Sequence, residues 1–257
     1  MEFFTLASSS AGNCAFIKGG DTTLLIDAGI SAARIEKELL AHGEEPVRIS
    51  GILLTHEHTD HIAGVQRLAL KYGIPVYASP KTWAALPFAD NLPAYLKHDY
   101  TYDMRLGDFG IEFCKTAHDA VQPVGMVLEA EGRRLGYVTD TGSTTRGMLH
   151  TLQKLDALVL EANHDRNMLA GGPYAPQLKR RVAGANGHFA NEQAAELARR
   201  LLAGGMFRLV LAHLSETNNR PELAYQAVLP AVADFTDSPA DWLSVAPAQQ
   251  ASSVMVL

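Results

Sequence analysis

Short apolar runs and helical spacings alternate along most of the chain, and they predict an alternation of strands and helices. Apolar runs bounded by turn residues predict strands, and they lie at 2–7, 14–18, 22–27, 51–55, 76–79, 111–117, 125–131, 133–140, 157–162 and 207–214. Apolar residues spaced three and four apart predict helices, and these segments are 31–43, 62–72, 80–86, 144–155, 191–205 and 221–235. Residues 88–105 show no regular pattern, and the Pro- and Ser-rich tail after about 237 predicts no element.

The order of these elements predicts an α/β fold. Strands dominate the first half, and strand–helix units fill the second half, which suits two sheets with helices on their outer faces. The 257 residues are at the upper end of one domain and are enough for a full core. We therefore expect a single domain that spans residues 1–257.

The composition is that of an ordinary globular protein, with 47% hydrophobic and 19% charged residues. The longest apolar runs have about six residues, far short of the roughly 20 that cross a bilayer, and the first residues do not resemble a secretory signal. Two cysteines give no disulfide framework and fit a reducing compartment, so we expect a cytoplasmic protein with no membrane partner. A net charge of −6 argues weakly against a polyanionic substrate, although bound divalent cations would reverse the local field.

The segment THEHTDHIAG, residues 55–64, places four potential metal ligands within six residues: His56, His58, Asp60 and His61. Residues two apart in an extended loop point the same way, so His56 and His58 can chelate one ion. Asp60 and His61 face elsewhere and can serve a second ion. The alternative is a polar loop in which Asp60 caps a helix, but that explanation does not account for four such groups so close together.

Three later strands each end in a further potential ligand, at His118, Asp140 and His213. Taken alone, either histidine would more often be a structural side chain or a cap. Ligands at strand ends converge on one edge of a sheet. Together with the first four, they give seven His and Asp ligands without cysteine, which predicts two adjacent metal sites.

This set resembles the metallo-β-lactamase superfamily, whose H-x-H-x-D-H signature is met by residues 56–61. The resemblance spans nearly the whole chain and implies a four-layer αβ/βα sandwich. It implies that His56, His58 and His118 hold one metal ion, that Asp60, His61 and His213 hold the other, and that Asp140 and a hydroxide bridge them. Two such ions activate water and stabilise charge on the attacking and leaving oxygens, so we expect hydrolysis of an ester, amide or phosphodiester. Glu57, between two ligands, is expected to point away.

Two residues outside the metal set resemble a carboxylate–histidine pair of the nuclease branches of the superfamily. Glu161 ends the strand at 157–162, and His188 lies in a loop before a helix. By resemblance to the nuclease branches of the superfamily, Glu161 would orient His188, which would protonate the leaving oxygen or hold the scissile phosphate, and Asp60 completes the catalytic set. A carboxylate keeps a neighbouring imidazole protonated near neutral pH. The alternative is that Glu161 caps a helix and that His188 is an ordinary loop residue.

The chain is closer still to the YycJ/WalJ-like group of that superfamily. The matching segments are LASSSAGNC, LIDAG, THEHTDHIAG, VTDTG, EANHD and AHLSETNN. Members of this group are regarded as metal-dependent hydrolases with 5′-to-3′ exonuclease activity on DNA, so the resemblance implies a DNA substrate. The chain departs from the group at GHFAN, where Ala190 removes a hydroxyl, and at SSSAGNC, which more usually reads SGSSGNC. Substrate handling could therefore differ.

Five residues are candidate substrate contacts: Ser10, Asn13, His164, Lys179 and Arg180. Ser10 and Asn13 lie in a small-residue loop that suits the approach of an anion, although a tight turn with Asn13 in a left-handed conformation explains the loop equally well. Lys179 and Arg180, with Arg181, form the strongest basic cluster near the site and could guide a nucleic-acid backbone. A solvated helix face is the commoner origin of such a run. His164 follows the strand at 157–162 on the site side and could contact substrate or metal.

Two functions stay open at this point. The first is a dinuclear phosphodiesterase that acts as a DNA exonuclease, and the second is a small-molecule hydrolase of the same fold that cleaves thioesters, lactones or β-lactams. A regulatory module that only retains the fold is disfavoured by the intact ligand set. Zn²⁺ and Mn²⁺ both accept His and carboxylate ligands, so either is expected at the two sites. The residues allow no protein partner to be inferred.

Overall fold

Two seven-stranded sheets lie face to face in this computed structural model, which describes residues 1–257. The first sheet contains, in spatial order, β14 (Met255–Val256), β1 (Glu2–Ser9), β2 (Gly12–Gly19), β3 (Thr22–Ile26), β4 (Gly51–Leu53), β5 (Val76–Ala78) and β6 (Lys97–Asp99). The second contains β13 (Leu243–Val245), β12 (Arg208–Ala212), β11 (Ala157–Glu161), β10 (Arg133–Val138), β9 (Val124–Ala130), β8 (Phe109–Lys115) and β7 (Met104–Leu106).

Ten α-helices connect or follow these strands. They are α1 (Ala32–Ala41), α2 (Thr59–Ile62), α3 (Val65–Tyr72), α4 (Pro80–Ala85), α5 (Arg146–Thr151), α6 (Arg166–Gly171), α7 (Pro176–Val182), α8 (Asn191–Leu202), α9 (Pro221–Ala233) and α10 (Pro239–Trp242). Single 3₁₀ turns lie at Pro46–Arg48, Ala89–Asn91 and Ala94–Leu96. No helix combines the length and the apolar character that crossing a bilayer requires.

Three apolar layers hold the sheets and helices together. Side chains from both sheets meet in the central layer, where Phe3 and Ile17 of the first sheet join Phe109, Val159 and Val210 of the second. The outer face of the first sheet packs against α1, α3 and α4, and that of the second against α5, α8 and α9. The predicted α/β fold, a four-layer αβ/βα sandwich, is therefore confirmed.

The parallel parts of the sheets determine where the site forms. Strands β3 to β6 run parallel to one another, as do β10 to β13, whereas β1–β3 and β7–β10 are joined by antiparallel pairs. The carboxyl ends of parallel strands lie at one edge of a sheet, which is where ligands bind in open α/β sheets. The loops after β3, β4, β10, β11 and β12 therefore carry the residues of interest.

The segment predicted as one helix at 62–72 forms two helices, α2 and α3. The first begins three residues earlier than predicted, and the break falls at Gly64. The Gly64 N–H donates to the Ala28 carbonyl at 2.7 Å, and a Cβ at Gly64 would lie 2.4 Å from the Ile30 carbonyl oxygen. This close approach to the loop after β3 accounts for a break that apolar spacing cannot reveal.

Seven short strands and α-helices were not predicted. Two of them, β6 and β7, lie in or at the end of the segment 88–105 that showed no regular pattern, and β13, β14 and α10 lie in the tail after 237. The other two are α6 and α7. Each strand among them has two or three residues at or near a sheet edge, and α7 contains three consecutive cations. Neighbouring elements rather than local periodicity stabilise such segments.

Candidate metal centre

The structure brings all seven predicted ligands together at one edge of the sandwich. His56 and His58 follow β4, Asp60 and His61 lie on α2, His118 follows β8, Asp140 follows β10 and His213 follows β12. Their donor atoms form overlapping groups in which every atom lies within 4.8 Å of the others. Each group that resembles a metal site combines residues of the first sheet with residues of the second.

The first group contains His56, His58 and His118. His58 Nδ1 lies 3.2 Å from His118 Nε2, close to the separation of about 3.3 Å between two nitrogens on a tetrahedral zinc ion with bonds of about 2.0–2.1 Å. His56 Nε2 is buried and has no hydrogen-bond partner, although buried polar atoms are nearly always paired. These nitrogens therefore fit a divalent cation.

The second group contains Asp60, His61 and His213. Asp60 Oδ2 lies 3.4 Å from His61 Nε2 and 3.5 Å from His213 Nε2. His213 Nε2 is buried without a hydrogen-bond partner in the protein. A carboxylate with two imidazoles is a suitable donor set for Zn²⁺ or Mn²⁺, so this group also fits a divalent cation.

Asp140 lies between the two groups. Its Oδ2 is 3.2 Å from His61 Nε2 of the second group, and its Oδ1 is 3.6 Å from His118 Nε2 of the first. The carboxylate is buried, and Oδ2 makes no hydrogen bond of acceptable geometry. This position suits a ligand that two ions share.

Asp27 is a site residue that the sequence alone did not reveal. It is fully buried after β3, and its Oδ2 accepts hydrogen bonds from His61 Nδ1 at 2.7 Å and from the Thr55 hydroxyl at 2.8 Å. Its Oδ1 accepts from the Thr55 N–H at 2.8 Å. A carboxylate on the far nitrogen of a metal-binding imidazole fixes the ring and its tautomer. The available signal was the strand-ending Asp in LIDAG, a position equivalent to that of Asp140.

Asp27, Asp140 and His213 share an unusual backbone conformation. Their φ angles are 57°, 57° and 55°, in the left-handed region that residues other than glycine rarely adopt. Such residues cost on the order of 1 kcal/mol each and concentrate at functional sites. All three directly follow a strand or nearly so, and all three contribute to this cluster.

The histidines of the first group form hydrogen bonds to neutral partners, while the Asp119 carboxylate lies 3.5 Å from His118 Nε2 and 4.0 Å from His58 Nε2. His118 Nδ1 donates to the Gly187 carbonyl at 3.0 Å, and the Thr55 hydroxyl lies 3.0 Å from His56 Nδ1. The Glu57 side chain accepts a hydrogen bond from the Val121 N–H at 2.8 Å, so it ties the two ligand loops together. The expectation that Glu57 points away from the metal ligands is therefore confirmed.

Glu161 connects the second group to His188. Its Oε1 accepts hydrogen bonds from His188 Nδ1 at 2.7 Å and from His213 Nδ1 at 2.9 Å. Its Oε2 accepts from the backbone N–H groups of Thr141 at 2.8 Å and Phe189 at 3.2 Å. Because both oxygens are occupied, this fully buried carboxylate orients two imidazoles and does not cap a helix.

The two groups differ in their electrostatics. Burial lowers the pKa of His56 and of His58. Burial opposes a charge on His213 as well, but Asp140, Asp60 and Glu161 outweigh it and raise the pKa of His213 to about 10. The pKa of His61 is likewise raised, because Asp140 and Asp27 outweigh burial. His61 and His213 of the second group therefore favour imidazolium, whereas His56 and His58 of the first group favour neutral imidazole.

In the Glu161–His188 pair, as in the second group, the attraction between a carboxylate and an imidazole outweighs the effect of burial. Burial opposes ionisation of Glu161, but His188 and His213 lower its pKa to about 2. For His188, burial opposes the charged form, but Glu161 outweighs it and raises the pKa of the ring. The pair is thus a carboxylate that stabilises a charged imidazole at the edge of the metal centre.

A small polar cavity of ≈ 190 Å³, the metal cavity, opens onto the cluster of candidate ligands. Its walls include metal-ligand candidates from both groups together with Ser10, Tyr174, Arg181 and His188, and only three of its thirteen lining residues are hydrophobic. Sites that enclose small molecules are mostly apolar and measure roughly 300–1,000 Å³. This cavity better suits one polar group of a larger substrate whose remainder lies outside.

The two candidates in the SSSAGNC loop occupy different places. Ser10 lines the metal cavity. Asn13 is fully buried, and its Nδ2 donates to the Ser9 carbonyl at 3.0 Å and lies 3.5 Å from Asp60 Oδ2. It also does not adopt a left-handed conformation. Asn13 therefore supports the Asp60 loop from beneath and has no exposed surface for a substrate.

The other three candidates do not reach the metal cavity. His164, Lys179 and Arg180 line a separate cavity on the opposite side of α7. Successive residues of a helix point about 100° apart, so three consecutive cations cannot share one face. Arg181 is the one that lines the metal cavity, and it forms a two-point ion pair with Asp119, with Nε–Oδ2 at 2.5 Å and Nη2–Oδ1 at 3.1 Å.

Comparison with known proteins agrees with this architecture. A sequence model described as the Beta-lactamase superfamily domain matches residues 22–214. The chain is 36% identical over 233 residues to exodeoxyribonuclease WalJ of Streptococcus pneumoniae serotype 2, covering 89% of this chain and 87% of that protein. It is 38% identical over 232 residues to exodeoxyribonuclease YycJ of Bacillus anthracis, covering 89% and 88%.

Among solved structures, the chain is similar to the metallo-beta-lactamase fold protein YhfI from Bacillus subtilis. The TM-score is 0.73 with 20% sequence identity, over 99% of this chain and 98% of that one. At this identity the likeness shows a shared fold.

Proposed function

We infer, because this chain belongs to the β-lactamase superfamily, that it is a metal-dependent hydrolase, and we propose that it acts on DNA as a 5′-to-3′ exonuclease. Relatives that are 36% and 38% identical are named exodeoxyribonucleases, and each aligns over 89% of this chain. The structural observation that carries the proposal is His188, which Glu161 holds at the edge of the metal cavity.

We propose that two divalent cations, Zn²⁺ or Mn²⁺, complete the site. His56, His58 and His118 would hold one, Asp60, His61 and His213 would hold the other, and Asp140 would be shared. The buried, unpaired nitrogens of His56 and His213 support this assignment. When bound, such ions acidify water and stabilise the charge that develops on a phosphodiester under attack.

His188 would act on the leaving oxygen. Its Nδ1 hydrogen is bonded to Glu161, so Nε2 is the nitrogen that remains for the substrate. The raised pKa of this ring keeps a proton available near neutral pH, and general-acid catalysis of this kind contributes about 10²–10⁴-fold. Glu161 does not touch the substrate. It is a positioning residue that orients His188 and His213 together.

The cavity favours a phosphodiester over an enclosed small molecule. It is small and polar, and Arg181 stands in its wall with its orientation fixed by Asp119. A guanidinium matches the oxygens of a phosphate group, so Arg181 would contact the scissile phosphate while the strand extends outside. Both cysteines, Cys14 and Cys114, are buried and unpaired, which agrees with the reducing cytoplasm that we propose as the compartment.

The test uses the full chain loaded with Mn²⁺ or Zn²⁺ and linear duplex DNA labelled at its 5′ ends. We expect labelled mononucleotides to be released first, and EDTA to abolish the release. His188→Ala should lower kcat by about 10²-fold or more while the metal content stays at about two ions per chain. His150→Ala, an exposed position on α5, is the matched control and should leave the rate unchanged.

Two outcomes would contradict the proposal in different ways. If DNA stays intact while a thioester, lactone or β-lactam is cleaved, the protein is a small-molecule hydrolase. If no substrate is cleaved and EDTA changes neither the fold nor ligand binding, the inferred hydrolase activity is wrong as well.

A further inference from the structure

A second cavity lies behind the helix that closes the metal cavity. One face of α7 presents Leu178, Arg181 and Val182 to the metal cavity. The opposite face presents Lys179, Arg180 and Ala183 to a cavity of ≈ 460 Å³. The helix thus separates two spaces that differ in volume and in chemistry.

His164 is a buried polar residue in the wall of the second cavity. The residue is 2% exposed, its side chain makes no hydrogen bond, and its Nδ1 is buried without a partner. Its backbone is fixed on both sides, since its N–H donates to the Phe189 carbonyl at 3.4 Å and its carbonyl accepts from the Asn191 N–H at 3.0 Å. A buried polar side chain that the protein leaves unpaired calls for a partner from outside.

The charges around the second cavity favour an anion. Arg166 is paired with Glu192 at 3.3 Å, and the Lys179 ammonium donates only to the Ala170 carbonyl at 2.7 Å. Arg180 forms no ion pair within the protein. Three cations therefore face one carboxylate, which leaves positive charge available at this cavity.

The remaining walls suit a flat apolar group. Leu169, Ala170, Ala183 and Ala190 contribute small apolar surfaces. Gln193 also lines the cavity, but its amide is already engaged, because Oε1 accepts from the Ala190 N–H at 2.9 Å and Nε2 donates to the Gly142 carbonyl at 3.0 Å. An apolar space with an imidazole in its wall, and with two cations at its edge that lack a carboxylate partner, matches a base and its phosphate.

We propose that this second cavity binds one nucleotide of the DNA strand outside the scissile bond, with the base against His164 and the apolar wall and the phosphate at Lys179 and Arg180. The inference rests on the proposed function. A helix about 10 Å across corresponds to roughly three steps of a DNA strand at about 3.4 Å each. The two faces of α7 would therefore contact the same strand a few nucleotides apart.

The first test compares DNA with a small diester that cannot span α7. In the metal-loaded protein we measure kcat/KM for labelled duplex DNA and for bis(p-nitrophenyl) phosphate. Lys179→Ala/Arg180→Ala should lower the ratio of the two values by about tenfold. The dependence of log KM for DNA on log salt should weaken by between one and two units, since each phosphate contact contributes about 0.9.

The matched control removes the same charge elsewhere. Lys37→Ala/Arg105→Ala changes two exposed cations that line neither cavity and form no ion pair, and it should leave both the ratio and the salt dependence as they are in the wild type. If the two double variants behave alike, the second cavity does not bind DNA and this inference is wrong, while the proposed function stands. If the wild type cleaves no DNA, the proposed function itself fails.

The second test locates the nucleotide directly. Crystals of the metal-loaded protein are soaked with 2′-deoxyadenosine 5′-monophosphate or with deoxyribose 5-phosphate, which lacks the base. We expect density for the first compound beside His164, weaker density for the second, and loss of the difference in His164→Ala. Density confined to the metal cavity would overturn the assignment.

Discussion

The first and second groups, the two halves of the proposed metal centre, both rely on histidines but place them in different electrostatic surroundings. His56 and His58 are kept neutral by burial, and their supports are a hydroxyl and a peripheral carboxylate that binds backbone. His61 and His213 are surrounded by buried carboxylates that raise their pKa. The first half offers lone pairs that are ready to bind a cation, whereas the second offers nitrogens that carry protons.

This difference shows that coordination residues alone do not define a metal site. The groups behind them decide whether a cation competes with a proton. Asp27 and Glu161 form direct hydrogen bonds to imidazoles of the second half only, and Asp27 reaches His56 of the first half through the Thr55 hydroxyl. The Asp140 carboxylate faces histidines of both halves. Three substitutions and one pH dependence distinguish the contributions of these carboxylates.

Asp140→Asn should have the largest effect, because it removes the shared carboxylate charge from both halves at once. We expect kcat/KM for DNA to fall by at least about 10³-fold, of the order seen when a metal-based stabilisation is lost, and the metal content to drop to about one ion per chain. Asn tolerates the left-handed backbone at this position, so the fold should persist in circular dichroism. Two bound ions with near-normal activity would show that Asp140 is not shared.

Asp27→Asn should affect mainly the second half, because Asp27 bonds directly to His61 but reaches His56 only through the Thr55 hydroxyl. The amide cannot replace the carboxylate that orients His61, and loss of such a partner typically costs 10–100-fold in metal affinity. Titration with Zn²⁺ should show one weakened ion and one ion of nearly unchanged affinity. Equal weakening of both ions would mean that Asp27 acts through the whole fold and not through His61.

The pH dependence of metal binding should also differ between the halves. A pKa of about 10 keeps His213 protonated at pH 8, so a cation must displace that proton, and this proton alone should raise the affinity up to about tenfold per pH unit until pH 10. His61, whose pKa is also raised, should add to this dependence. His56 and His58, with lowered pKa values, should bind with little pH dependence above neutrality. Calorimetry at pH 8 in two buffers with different ionisation enthalpies measures the protons released.

We expect the ion that occupies the second half to account for nearly all of that proton release, whether it is the tighter or the weaker of the two. Asp27→Asn supplies an internal comparison, because it should reduce the release by lowering the pKa of His61. Equal release by both ions would remove the electrostatic distinction between the halves.

Glu57→Gln should have the smallest effect. The amide oxygen can still accept the Val121 N–H, and a neutral hydrogen bond of this kind contributes about 1 kcal/mol. We expect metal content to stay the same and kcat/KM to change by no more than a few-fold. A loss comparable to that of Asp27→Asn would show that the first half depends on a carboxylate after all.

The convergence of the seven candidate ligands could be predicted from the sequence, because the pattern that indicates them lies in short segments of the chain. Four ligands fall between His56 and His61, and the other three each follow an apolar strand. Strand ends meet at one edge whatever the details of the loops. Glu161 also ends a strand, but its pairing with His188 was expected from resemblance to the nuclease branches of the superfamily, and in the structure a 2.7 Å hydrogen bond joins the two side chains.

The substrate-facing residues could not be predicted in the same way. The run LKRRV gives no indication of which cation faces the metals, because that depends on the rotation of α7 over the sheet. Arg181 reaches the metal cavity, while Lys179 and Arg180 turn to the other side. The sequence placed Asn13 among the substrate contacts for a related reason, since only tertiary packing puts its side chain beneath Asp60.

Each half of the proposed metal centre combines residues from both sheets, so neither half is complete until most of the chain has been synthesised. When the first 100 residues have left the ribosome, four ligands are present but neither set is complete, because His118 and His213 belong to later strands. If these sets hold cations as proposed, tight binding would require the second sheet to have docked on the first. Bound metal would then cross-link the two sheets and resist their mechanical separation.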